Sequence, residues 1–273
     1  MFSYHRQAIK RPAPTVHLEI TAITDIATNS EHFEQLAQSL ARHEMPDGWS
    51  MVGSSINARV AVDQHTQVYY KEFLKRSPLE TVKARVKGSR AYRARRNNEA
   101  LRAASFPAPV NLAWGSIAGG SEYLFSSAVP GQGVTAWLRE TLVDRQGESL
   151  SLRRNLLFGL GSFIGRMHHA GFTHGDLRTS NVLAHREGSA FHFSLIDNER
   201  NRQRQPPAGR DILRNLMQLN MLTPADISNT DRMRFFSHWR REMHNLADPE
   251  AHLVATEAYQ WAMRRLRAKG KLL

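Results

Sequence analysis

Residues 173–197, THGDLRTSNVLAHREGSAFHFSLID, constrain this chain more than any other stretch. They hold His174, Asp176, Asn181 and Asp197, with five residues from Asp176 to Asn181 and sixteen more to Asp197. Between the last two, 182–184 and 191–196 read as short apolar strands joined by a polar turn over 185–190. A hairpin of that size carries Asn181 and Asp197 back to the same end of a sheet, beside Asp176. Three oxygen-bearing side chains then converge on one small volume. That set suits a hard cation such as magnesium, which takes few protein oxygens and keeps its waters and phosphates. It is also the spacing that γ-phosphoryl transfer from ATP uses, in which one carboxylate orients the attacking hydroxyl. An amide and a second carboxylate then hold the metal on the phosphates. Asp and Asn also favour capped turns, where they bond their own backbone. For Asp176 and Asn181 alone that reading competes evenly; Asp197, placed after a strand, tips the balance.

At 273 residues with 41% apolar content and five tryptophans, the chain can build one large domain or two lobes around a cleft. No apolar run approaches the length of a membrane-crossing helix. The start, MFSYHRQAIKRPAP, is basic without an apolar core, so it does not read as a secretory signal. The absence of cysteine excludes disulfides and thiolate metal sites and is compatible with a reducing cytosol. A net charge of +12 calls for anionic partners: nucleic acid, acidic lipid or a phosphorylated substrate.

Upstream, 49–52, 53–57 and 58–62 read as strand, small-residue turn and strand. Backbone N–H groups of Gly53, Ser54 and Ser55 in such a turn can approach phosphate oxygens, although an ordinary hairpin has the same pattern. The β-rich run 67–74 carries Lys71, which can reach nucleotide phosphates if a carboxylate holds it. The candidate carboxylate is Glu99, in the helical stretch 89–104; the competing reading makes Glu99 a surface partner of Arg95, Arg96 or Arg102. After the Phe106-Pro107-Ala108-Pro109 turn, 110–114 and 122–125 read as strands, and 126–131 as a linker whose backbone can meet an adenine ring. From 152 to 170 apolar residues recur with a 3.6-residue rhythm, and Gly171 ends that helix.

Together these segments resemble the protein-kinase-like fold, and within it the bacterial lipopolysaccharide core kinases, the Kdo/heptose kinase family. The resemblance runs from about residue 49 to 220. It rests on YYKEFLKR, RARRNNEALRAASFPAPV, the linker AVPG, HGDLRTSNVL and LIDNER. It implies an α+β, two-lobed fold with a small β-rich N-lobe over 49–126 and a mainly helical C-lobe over 127–273. Residues 1–48 form an N-terminal extension, in which 31–42 reads as an amphipathic helix packing on the N-lobe. It implies ATP and Mg2+ as cofactors, Asp176 orienting the acceptor hydroxyl, Asn181 and Asp197 as metal ligands, and Lys71 with Glu99 as the phosphate-positioning ion pair. His174 becomes a brace for the loop. The implied acceptor is a sugar of the lipopolysaccharide inner core carried on lipid A, met by a cytoplasmic enzyme peripheral to the inner membrane.

Departures from the wider superfamily are informative. Gly175 stands where many regulated protein kinases have an arginine. Asp197-Asn198-Glu199-Arg200 replaces Asp-Phe-Gly, and about a dozen residues separate it from the helix at 211–216. A long peptide-binding segment does not fit there, which argues for a small or glycan acceptor. Glu199 has two readings, a further metal oxygen or a partner of Arg200. From Lys75 to Arg102 ten basic residues face only Glu80 and Glu99; they suit an acceptor rich in phosphate and carboxylate, or simply a solvated face. Residues 258–273 read as a basic amphipathic end that rests on an anionic bilayer or packs on the C-lobe, and Phe235, Phe236 and Trp239 read as core. Competing functions are a soluble phosphotransferase of the aminoglycoside or choline type and a non-catalytic pseudokinase or nucleic-acid-binding module. Few aromatics interleave the basic run, which argues against nucleic acid. A zinc site from His168, His169 and His174 is the weakest alternative, because adjacent helical residues point about 100° apart.

Overall fold

The computed structural model describes residues 30–74, 88–207 and 209–272. Half of the basic run, 75–87, and the first 29 residues lie outside these. The N-terminal part is a five-stranded antiparallel sheet in the order β1-β2-β3-β5-β4. Its strands are β1 (Trp49–Ser55), β2 (Ala58–Asp63), β3 (Val68–Phe73), β4 (Asn111–Ser116) and β5 (Glu122–Ser127). The two-residue side-chain period sorts the faces. Tyr70 and Phe125 face helix α1 (Ser30–Ala41), whose Phe33, Ala37 and Leu40 complete an apolar cluster with them. Lys71 and Phe73 point the other way, where Phe73 and Leu124 pack on Ala91 and Ala94 of helix α2 (Arg90–Ala103). Ser89 caps α2 by accepting from the Tyr92 N–H at 3.1 Å.

The remainder is helical. Helix α3 (Gly147–His169) runs through the centre of the largest apolar cluster, beside α4 (Gly209–Leu219), α5 (Asn229–Glu242) and α6 (Asp248–Ala268). Gly161 and Gly165 let α3 and α5 touch backbone to backbone. A β-carbon at Gly161 would strike the Phe235 carbonyl, and one at Gly165 would lie 2.7 Å from that of Trp239. Phe235, Phe236 and Trp239 are core residues. Helix α6 buries Ala251, Ala258, Ala262, Met263 and Leu266 against this core, so its apolar side is occupied, while Arg264, Arg265, Arg267 and Lys269 remain outward.

Short strands frame the loops at the mouth of this region. β6 (Gln132–Gly133) joins β8 (Val182–Glu187) and β9 (Ala190–Leu195), and β7 (Phe172–Thr173) pairs with β10 (Arg202–Gln203). The β8–β9 hairpin is longer than its apolar residues alone suggest. The strands continue through exposed pairs such as His185 opposite His192, leaving only Gly188-Ser189 as the turn. β1 likewise runs through Gly53-Ser54-Ser55, with an irregular register between Val52 and Ser55.

Candidate active site

The hairpin register determines where the oxygen-bearing side chains go. Val182 pairs with Leu195, and the Ile196 N–H donates to the Asn181 carbonyl at 3.1 Å, so Asn181 and Asp197 emerge side by side. The Asn181 amide donates through Nδ2 to the Asp176 carbonyl at 2.9 Å. That bond fixes the amide and leaves Oδ1 to accept a cation. Asp197 occupies the left-handed region with φ of 61°, a conformation that Asp tolerates through its short polar side chain. Its Oδ1 receives Lys71 Nζ at 2.5 Å. Burial raises the Asp197 carboxyl, but Lys71, with Arg200, outweighs it and holds the group below the usual carboxylate range, ionised. Asp176 Oδ1 accepts from Arg178 at 3.0 Å and from Gln218 at 3.2 Å.

His174 holds the loop from within. Its Nδ1 accepts from the Asp176 N–H at 3.0 Å, so the proton sits on Nε2, which donates to the Ile196 carbonyl at 3.0 Å. One imidazole thus ties the residue that carries the first carboxylate to the strand end that carries the second. Burial lowers its pKa despite the neighbouring carbonyl and carboxylates, and the ring stays neutral. Behind it lies a buried relay that the sequence motif did not reveal. The Trp239 indole donates to His168 Nδ1 at 3.0 Å, and His168 Nε2 donates to Asn215 Oδ1 at 3.1 Å. Asn215 then bonds both the N–H and the carbonyl of His174. The two histidines are therefore braces, and no group of three His, Cys, Asp or Glu side chains that could hold a metal occurs among the described residues.

Asp176, Asn181, Asp197 and Lys71 all line one cavity of about 700 Å³ between the sheet and the helical part. Gly53 and Ser55 form its roof, whereas the Ser54 hydroxyl is used within the turn, donating to the Val52 carbonyl and accepting from the Val60 N–H. At the back, Ser127 and Ala128 spend their N–H groups on Val110 and Gln67 carbonyls. Val129 follows with no backbone hydrogen bond among the described residues, a free donor and acceptor at the cavity wall.

The expected Lys71–Glu99 pair does not form. Glu99 faces outward, 4.0 Å from Arg95 and 3.2 Å from the Asn111 amide. The reason is the helix phase: α2 buries Arg90, Ala91, Ala94, Asn97, Asn98 and Leu101, and Glu99 lies off that stripe. The carboxylate that ties α2 to the site is Glu199. Arg90 grips it through Nε and Nη2, at 2.9 Å at the closest, with both groups buried. Arg200, the partner expected from the sequence, lies 3.5 Å from the Glu199 carboxylate as well. Asn97 donates to the Asn198 carbonyl at 2.7 Å, and Asn198 donates to Asn98 at 2.9 Å and accepts from Asn201 at 2.8 Å. A satisfied polar seam therefore fastens α2 to the segment after Asp197. Gly175 has a local cause: a β-carbon there would collide with Arg200, which lies across it.

A sequence-family model for the lipopolysaccharide kinase (Kdo/WaaP) family matches residues 52–239. The chain belongs to this family. Among solved structures, "WaaP in complex with acyl carrier protein" superposes with a TM-score of 0.60 at 17% identity, covering 88% of this chain and 97% of that one. The bifunctional kinase-methyltransferase WbdD matches with a TM-score of 0.48 at 17% identity over 82% of this chain and 51% of its own. The aminoglycoside phosphotransferase APH(3'')-Id from Streptomyces rimosus ATCC10970 matches at 0.49 and 14%, covering 84% and 98%. No curated protein sequence matches significantly. Membership of this kinase family carries the phosphotransferase class, and the superposition on the WaaP structure carries the α+β protein-kinase-like fold. The chain's donor set, an amide oxygen and an ionised carboxylate beside a lysine, fits a magnesium-bound nucleotide.

Proposed function

We propose that this lipopolysaccharide kinase transfers the γ-phosphoryl group of ATP to a sugar hydroxyl of the lipopolysaccharide inner core, Kdo or heptose. The supporting observation is that Asp176, Asn181, Asp197 and Lys71 line a single cavity between sheet and helices. The phosphoryl group, and the cation that shields it, come from bound Mg-ATP. Asn181 Oδ1 and the Asp197 carboxylate hold the metal, and Lys71 reaches from Asp197 to the phosphates. The N–H groups of Gly53 to Ser55 cover the phosphates, and Val129 meets the base. Asp176 aligns the acceptor hydroxyl and receives its proton late; catalysis is mainly positioning and charge neutralisation.

No helix of the described residues is long and apolar enough to cross a membrane. We place the enzyme peripherally at the cytoplasmic face of the inner membrane, with the outward basic side of α6 toward anionic lipid. Each basic residue at such a surface contributes about 1 kcal/mol, and salt screens it. The test is acceptor choice: phosphate should pass to deep-rough lipopolysaccharide, with at most trace transfer to free sugars, choline or aminoglycosides. Preferential transfer to a free small molecule would replace this reading with a soluble phosphotransferase.

A further inference from the structure

A second cavity, of about 960 Å³, lies behind the catalytic loop, between α2, the segment after Asp197 and α4. Its wall includes Arg93 and Arg96 from α2, Arg200 and Arg202 from the segment, and Arg214 from α4. Only two carboxylates share it, and both are engaged: Glu199 by Arg90 and, at 3.5 Å, by Arg200, and Asp211 by Arg202 at 3.2 Å. Arg96 and Arg214 are exposed and pair with no carboxylate among the described residues, and Arg93 bonds only the Gly88 and Glu199 carbonyls. Arg93, Arg96 and Arg214 thus face the cavity with no carboxylate partner among the described residues, and cations grouped in this way attract an anion. The segment after Asp197 cannot supply a phosphate of its own at this place. From 195 to 222 the sequence has no serine, threonine or tyrosine.

We propose that this cavity is an anion site, distinct from the nucleotide cleft, that takes a phosphate or carboxylate group from outside the chain through Arg93, Arg96, Arg200, Arg202 and Arg214. Arginine suits the task because its planar fork binds either group bidentately. The cavity is also walled by Thr173, His174 and Gly175, the back of the loop that presents Asp176. An anion there bridges α2 to α4, and α4 holds His174 through Asn215. The bound group therefore adds α4 to the parts that the Arg90–Glu199 pair joins, and the arginines act as positioning residues. Two sources carry this chemistry: the anionic acceptor itself, or free phosphate. The acceptor source rests on the proposed kinase activity, whereas anion binding does not.

The experiment uses the full chain and inorganic phosphate at constant ionic strength, reading the thermal unfolding midpoint. Wild type and Lys71→Met, which is altered in the nucleotide cleft, should show the same saturable rise. Arg96→Gln/Arg214→Gln should need at least about tenfold more phosphate for it. No saturable rise in wild type, or an equal rise in the arginine variant, would overturn the proposal. Transfer assays then separate the sources. If the acceptor supplies the anion, the arginine variant raises KM for lipopolysaccharide about tenfold and leaves KM for ATP unchanged. If free phosphate supplies it, phosphate activates wild type but not the variant, at unchanged acceptor KM. A chain that shows the phosphate-dependent rise but transfers nothing would remove the kinase reading and keep the anion site.

Discussion

Replacing Glu199 by alanine should damage this protein far more than replacing Glu99, although only Glu99 stands in the helix where the superfamily pattern places its ion pair. Arg90 and Glu199 have side chains only 10% and 6% exposed. Removing one partner strands a buried charge, a loss of about 3–5 kcal/mol. Arg90 keeps its bond to the Asn57 carbonyl at 2.7 Å, which places Glu199→Ala near the lower end. Glu99 is 54% exposed and 4.0 Å from Arg95, so Glu99→Ala should cost under about 0.5 kcal/mol. Urea unfolding of the two variants reads the contrast directly. A double-mutant cycle with Arg90→Met and Glu199→Met should return a coupling of about 2 kcal/mol or more, because the partners share one contact. Turnover of Glu199→Ala should fall about a hundredfold as α2 and the Asp197 segment lose registry. Equal destabilisation by the two alanine variants, or additive effects in the cycle, would refute the reasoning.

Stability should also fall with acid through His168. Burial lowers its pKa to about 4, only partly opposed by the bond to Asn215, whereas an unfolded histidine titrates near 6.5. The unfolded chain binds the extra proton between these values, so the contribution is full above about pH 6.5 and is lost as pH drops toward 4. From pH 7 to pH 5 the loss is about 2 kcal/mol; in His168→Gln the same interval should show a correspondingly shallower slope, and an unchanged slope would contradict the assignment. Gly175→Ala forces a β-carbon onto Arg200 and should cost about 1–3 kcal/mol with at least a tenfold loss of turnover; wild-type activity in that variant would show that the contact does not hold the loop.

The convergence of Asp176, Asn181 and Asp197 on one cavity was legible because the geometry is local. Spacing and the hairpin between Asn181 and Asp197 determine which side chains converge, and strand alternation puts Lys71 on the cleft face. Glu99 misled because the decision rests on the phase of α2, where one step turns a residue about 100°. The neighbouring Asn97 and Asn98 carried a usable signal: two poor helix formers in mid-helix need partners, and Asn198 and Asn201 offer them. Glu199 lies 109 residues from Arg90, and no local pattern links them. Asn215 carries no local mark of its role in α4, although it holds the loop through His174. For α6 the pattern showed a basic side and an apolar side, and only the packing of Ala258, Ala262 and Leu266 shows that the apolar side is occupied.

The most direct test of the central claim is transfer of labelled γ-phosphate from ATP to deep-rough lipopolysaccharide, with magnesium, by wild type and by Asp197→Ala. The account predicts label in the inner-core sugar with wild type and a loss of at least about a thousandfold with the variant, in a protein whose circular dichroism is unchanged. Near-wild-type transfer by folded Asp197→Ala would contradict it.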